Sequence, residues 1–413
     1  MNKIFVIIIT AVFGSIPVSG QTVNSGQLKV LPETKFSSVG DFKNTNTASL
    51  ENNGAFFVHA NFHNDGIVEY NPTQEGVTHF VGDRQQNISG AVVSKLNHTL
   101  FNNHSEQPAL LLTGEISIGG NSDFKFGIIK VEENGSFIFE ASATHNNADM
   151  DSHVEGFVER HGKNEFNFPV GHNGFYNPKT IGMSQRDDVV FRGTYRKESS
   201  NSQYPHSQKE ENIQFFDTKH YWMLECNHAE IQEFPLTLSI DENLLEADPD
   251  SDGDTEIAIV SWDIETQQWK SFTTIVDTDQ KLATAMIKRA GIFGLAKIKK
   301  SDVDDENNEN NENNEIIVYN GISGNDDGKN DYFFIDGLEK STENTLEIYN
   351  RWGAKVFDAN QYGSHENWFR GYSNVKGTID KGKKLPSGTY FYVLTYKIAN
   401  SKIKKKAGYL YIN

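Results

Sequence analysis

The sequence predicts an all-β protein of several domains: a solenoid-like or sandwich N-terminal β region, a central β-sandwich and a C-terminal seven-stranded Ig-like β-sandwich. Three observations predict it. Short runs rich in Val, Ile, Phe and Tyr recur at a spacing of about 8–12 residues between Gly, Asn and Asp turns, with scarcely a helical stretch to compete. An acidic, Asn-rich tract at 301–315 divides the chain near its last quarter. Beyond it, about seven strand-like runs fit into about 100 residues, the count of a small sandwich.

Met1 to Gly20 reads as a signal peptide. Lys3 gives the positive start, Ile4 to Phe13 a short apolar core, and Val18-Ser19-Gly20 small residues for cleavage. The run is too short to span a bilayer as a helix, and no other stretch is a candidate span. Gln21 follows rather than Cys, which points away from a lipoprotein.

Residues 21–150 form a β-rich, repeat-like region. Its runs include Ala55-Phe56-Phe57-Val58, Gly66 to Tyr70, Gly76 to Val81, Ala109 to Thr113, Phe126 to Val131 and Ser136 to Phe139. Both a stack of coils and a sandwich fit such spacing; the weak self-similarity of the units favours the stack. Residues 151–300 read as a sandwich, with strands at 189–195, 220–226, 234–240, 256–263, 269–275 and 291–298. The stretch 283–289 fits a helix or a strand. Residues 301–315 carry seven acidic and no basic side chains, and no apolar residue after Val303, so they form a disordered, self-repelling linker.

Residues 316–413 then supply strands at 316–323, 331–335, 346–353, 354–359, 368–372, 389–396 and 408–412. Asn325-Asp326-Asp327-Gly328-Lys329-Asn330-Asp331 joins two of them, followed in order by Asn350-Arg351-Trp352-Gly353, Pro386-Ser387-Gly388-Thr389-Tyr390 and Gly408-Tyr409-Leu410-Tyr411. These four ordered motifs resemble the gliding-motility-associated C-terminal domain, the type B sorting domain of the type IX secretion system in Bacteroidetes. Gly324 and Asp326 depart from the family's usual Pro and Gly in the first loop. The resemblance implies translocation across the outer membrane, the secretion machinery as partner, and a cell-surface or extracellular destination. It implies no chemistry. Residues 61–71 and 82–90 also look like segments that often precede this domain in bacterial surface proteins.

Charge agrees with export. The chain carries a net −18; residues 316–413 hold 14 Lys/Arg and 10 Asp/Glu, so the remainder carries −22. Such an acidic body argues against a nucleic-acid partner and for solubility outside the cell. Lys402 to Lys406 read as the polar side of a final hairpin. Cys226 is the single cysteine, so no internal disulfide forms, and it reads as a packed thiol rather than a nucleophile.

Chemistry-bearing patterns are few. Asp248, Asp250, Asp252 and Asp254 alternate with a Gly at the sixth position, the opening of a calcium loop. Position twelve is Ile259 and no helices flank the run, so it reads either as an isolated calcium loop or as a solvated acidic turn. His153, Glu155, Glu159 and His161 share a face if their run is one strand, as do His59 and His63. Two histidines fall short of the three converging ligands that zinc needs. Trp222, Trp262 and Trp269 read as core rather than as a sugar platform. The sequence contains no His-Glu-x-x-His, Gly-x-Ser-x-Gly or phosphate-binding glycine loop, so the expectation is a non-enzymatic structural or adhesive surface protein. The alternative is a secreted hydrolase or glycan-binding protein with the same sorting domain. A concave pocket gathering carboxylates or histidines would distinguish the two.

Overall fold

A computed structural model describes residues 20–184, 186–229, 234–241, 244, 255–278, 280–299, 316–319, 321–323, 330–350, 355–364, 367–375, 382–398 and 403–412. The signal-peptide run at 1–19, the acidic linker at 301–315 and the Asp-rich run at 248–254 lie outside them.

The N-terminal region is a three-sided parallel β-solenoid. Its first face stacks Thr22–Asn24, Phe42–Asn44, Phe62–Asn64, Gln86–Ser89, Leu110–Leu112, Ile129–Val131, Val154–Glu155 and Val170–His172. The second runs through Gln27–Val30, Ser49–Asn52, Ile67–Glu69, Ser94–Leu96, Glu115–Ile118, Ser136–Phe139 and Val158–His161. The third runs through Lys35–Ser38, Ala55–Val58, Val77–Gly82, His98–Asn103, Asn121–Phe126 and Thr144–Asn146. Alternation on these short strands sends every second side chain inward. Parallel stacking then places like residues over one another. Phe42 lies over Phe62 with ring centroids 5.6 Å apart, and Phe80 over Phe101 at 5.4 Å.

One corner is held by amides. Asn24, Asn44 and Asn64 are in register, and each Nδ2 of the first two donates to the next Oδ1 at 2.9 Å. Asn44 and Asn64 are fully buried, yet their amides are satisfied: Asn44 Nδ2 also reaches Ile67 O, and Asn64 Nδ2 reaches Val92 O and Ser94 Oγ. Bonding between coils removes the desolvation penalty that a lone buried amide would carry.

The parallel rungs continue past residue 150, through Val154–Glu155, Val158–His161 and Val170–His172. There the pattern changes. Phe166–Phe168, which follows the second face, leaves the coil for another sheet. Val158–His161 pairs antiparallel with Val190–Arg196, so the second face runs on into an antiparallel sheet with Tyr221–Cys226, Gly291–Lys299, Thr255–Asp263, Gln268–Ser271 and Ile213–Phe216. A five-stranded sheet of Phe166–Phe168, Lys179–Ile181, Phe234–Ser239, Leu282–Ile287 and Thr274–Asp277 faces it. This is the central sandwich, and it shares one continuous apolar core with the solenoid, from Val30 to Leu295.

Two expectations resolve here. The stretch that fitted a helix or a strand is the strand Leu282–Ile287. The run at 269–275 is two strands, Gln268–Ser271 and Thr274–Asp277, because Phe272 turns its N–H to Ile259 O at 2.9 Å.

The C-terminal unit has its own core, including Phe333, Leu346, Ile348, Phe369, Leu394 and Leu410. A five-stranded sheet runs Gly321–Ile322, Lys404–Ile412, Gly388–Ile398, Ser341–Asn350 and Lys355–Asn360. Ile317–Val318 and Ile335–Asp336 form a second, two-stranded sheet, which makes seven strands among the described residues. The composition of those seven differs from expectation. The run at 316–323 is divided between the two sheets, and 331–335 contributes only Ile335. Residues 368–372 are not a strand: Phe369 plugs the core while its carbonyl accepts from Phe333 N, and only Tyr372 bridges, to Lys384.

Candidate functional site: a cleft where the solenoid meets the sandwich

The first face of the solenoid ends in a small hairpin, Val170–His172 with Phe175–Tyr176. Beside it, Val190–Arg196 and Tyr221–Cys226 belong to the long sheet, and Phe234–Ser239 to the facing one. The ends of these elements enclose a cleft of about 490 Å³.

Its floor is polar and deeply buried. Tyr195 and His220 are 3% and 4% exposed, and Trp222 stands edge-on to the imidazole at 5.0 Å. Behind His220 lies Asp217, whose Oδ2 is 3.0 Å from Nε2, with side chains 5% and 3% exposed. Asp217 is positioned by Lys219 N, which donates to Oδ1 at 2.9 Å. Burial raises the Asp217 pKa and lowers that of His220, while the attraction between the two opposes each shift. Burial also pushes the Tyr195 phenol up to about 12, against a hydrogen bond from Asn177.

Among the described residues Asn177 Oδ1 has no hydrogen-bond partner, and Asp217 Oδ2 and His220 Nε2 have only each other, close but not aligned. Satisfied interiors do not leave such atoms without reason. The rim holds Lys197, whose ammonium lies over the Phe175 ring, together with Lys219, Ser239 and Asp241.

A second groove of about 310 Å³ lies between Lys130, Glu155, His172, Arg192 and Arg196. Much of its charge is already paired. Lys130 meets Glu132 at 3.0 Å, Arg192 meets Glu225 at 2.7 Å and lies over Phe157, and Glu155 accepts from Gly174 N at 2.8 Å.

The histidines do not gather. Gly156, at φ +129°, turns the corner between Glu155 on the first face and Val158 on the second, so the run 153–161 is two strands on different faces. His153 is wholly buried and bonds Asp149 O, whereas His161 faces out to Glu140 and Glu159 at 3.1 and 2.7 Å. His59 lies outside any strand, and His63 bonds Ser89 and Asp65. Among the described residues no three His, Cys, Asp or Glu side chains converge as a metal requires. The calcium candidates Asp248, Asp250, Asp252 and Asp254 lie outside the described residues. Trp222 and Trp269 are buried, and Trp262 packs on Trp269 at 5.8 Å. Cys226 is half-buried, and burial raises its pKa.

The sorting-domain motifs have structural tasks. Asn330 O accepts from Ser323 N at 2.8 Å, joining the two ends of the first loop, and Asp331 follows it into the core segment. Asn325, Asp327, Gly328, Arg351, Trp352 and Gly353 lie outside the described residues. Asn350 ends its strand, buried and paired with Tyr390. Tyr390 Oη donates to Pro386 O at 2.9 Å across Ser387 and Gly388, which fixes the turn into the strand. Gly408 lies opposite Tyr392, and a Cβ there would meet the Tyr392 hydroxyl at 2.6 Å. Tyr319 and Phe334 are exposed and, with the half-buried Tyr332 and Trp368, form an aromatic ridge on the same unit.

The cleft was missed in the sequence because its residues come from segments spread over 175–241, none of which carries a motif. Comparison with known proteins bears on the other end of the chain. Residues 316–412 match the model of the CHU_C type IX secretion signal domain. No curated protein matches the chain. The match agrees with the four ordered motifs and implies an encounter with the secretion machinery and delivery to the cell surface or beyond. Among the described residues no helix is long and apolar enough to cross a membrane.

Proposed function

We propose, from the premise of a type IX signal domain at the C-terminus, that the chain leaves the cytoplasm on the signal peptide at 1–20 and crosses the outer membrane through residues 316–413. Outside, its body acts as a structural or adhesive module without enzymatic activity. What carries the reading is the pairing of a secretion signal domain with a rigid solenoid whose three flat faces present side chains in register over many coils. Repetition of that kind suits extended contact with another surface. In support of a non-catalytic body, the one buried acid–base pair in the cleft is almost closed to solvent, at 5% and 3% exposure.

The test is fractionation in a bacterium possessing the type IX system, comparing the full chain with one ending at Lys300. The expected result places the full chain at the surface or in the medium and retains the shorter one in the periplasm. Equal fates for both would overturn the sorting assignment.

A secreted hydrolase or glycan-binding protein is the second reading, favoured by the cleft that gathers His220 and Asp241. Hydrolysis of a polysaccharide panel by the purified chain, lost in His220→Gln, would displace the first reading.

A further inference from the structure

We infer that the junction cleft binds one acidic sugar residue, a pyranose bearing a carboxylate or a sulfate, held between the Asn177–His220 floor and the lysine rim. The inference deepens the adhesive reading by naming what the body would hold.

Size comes first. About 490 Å³ admits a monosaccharide with room for a linkage outward, and is small for a peptide segment with side chains. The floor then selects for hydroxyl groups. Asn177 Oδ1 is a buried acceptor with no aligned donor among the described residues, whereas His220, beside it in the lining, holds its Nε2 3.0 Å from the Asp217 carboxylate behind. A ligand rich in O–H groups supplies the donor that such an acceptor lacks, and an apolar ligand does not.

The wall matches a ring. Phe175 is 44% exposed at the mouth, and Tyr176 beside it keeps its hydroxyl neutral, with a pKa pushed up to about 12 by burial. Lys197 covers one face of the Phe175 ring, so the apolar wall left for the C–H side of a pyranose is the rest of Phe175 together with Tyr176. The rim decides charge. Lys197 and the exposed Lys219 stand at the opening together with Asp241, so the rim carries two positive charges against one negative. In an otherwise acidic chain of net −18, two ammonium groups at one mouth favour an anionic substituent.

The experiment uses the purified full chain and saturation-transfer NMR titrations with the methyl glycosides of glucuronic acid, galacturonic acid and glucose. One of the two uronides is expected to bind about tenfold tighter than the glucoside, the scale of one charge-assisted hydrogen bond. Lys219→Gln, a change at an exposed position, should remove that preference, and Asn177→Ala should weaken the uronide about tenfold. Thermal melts of both variants establish that they fold. Three results overturn the inference: no binding by either uronide, equal binding of uronide and glucoside, or a preference that survives Lys219→Gln in a folded protein. Export does not enter this measurement. A chain that reaches the surface but ignores uronides sinks the inference alone, and one that binds uronides but is not exported sinks the sorting assignment alone.

Discussion

Asn44 illustrates how single side chains hold the stack. Its amide bonds Asn64 above, receives Asn24 below and reaches a backbone carbonyl of the next coil. Asn44→Ala leaves those buried partners unsatisfied and should cost about 1–3 kcal/mol. The check is a lower urea midpoint with an unchanged slope. Lys179 is a different case. It is 1% exposed, with Nζ donating to Thr194 O at 3.2 Å and to Met223 O, and its stem occupies the space a Cβ on Gly193 would need. Burial holds its pKa well below the ordinary lysine value of 10.5. Between those two values the unfolded chain binds the extra proton, so the penalty shrinks as pH rises toward 10.5 and is gone above it. Compared across that range, Lys179→Met should gain its largest stability advantage at the low end and lose it at the high end. A constant offset would mean that the lysine stays charged in the fold.

Among the elements, strands with strong β-branched and aromatic runs were legible, and corners were not. Tyr221–Cys226, Thr255–Asp263 and Gly291–Lys299 lie within a residue of where the sequence put them, because apolar runs bounded by turn residues leave one reading. The histidine run at 153–161 misled because Gly156 looks like a residue within a strand, yet bends the chain between faces. Coil stacking itself was only hinted at. The asparagine corner depends on contacts 20 residues apart that no local pattern announces. The final hairpin offers a prediction at this scale. Gly408→Val forces a side chain into the Tyr392 ring, an overpacking worth about 1–3 kcal/mol. The signal domain should melt earlier and less protein should reach the surface, while the melting of the body stays unchanged. An unchanged signal-domain melt would show that the ring swings aside freely.

For the whole molecule, the division of cores matters more than the division of folds. Solenoid and sandwich share apolar contacts from Val30 to Leu295, and the signal domain has a separate core from Ile316 to Ile412. Scanning calorimetry should therefore show two transitions, one of them lost when the chain ends at Lys300. A third transition splitting solenoid from sandwich would mean that their shared sheet does not couple them. The sequence revealed the class of each unit but not this coupling, which arises where Val158–His161 changes from parallel to antiparallel pairing.

That change also gives the stack a polarity. At the far end, Thr22–Asn24, Gln27–Val30 and Lys35–Ser38 each have a strand neighbour on one side only among the described residues. Gly26 shows the same asymmetry: a Cβ there would touch nothing within 4 Å, whereas at Gly66 it would lie 2.3 Å from Thr45 O of the coil before. At the opposite end the second face runs on into the antiparallel sheet, whereas Thr144–Asn146 closes the third face with a strand neighbour on one side only among the described residues. The two ends of the second face are therefore not interchangeable: a copy could add to it edge to edge at Gln27–Val30 and not at the end where antiparallel pairing already continues it.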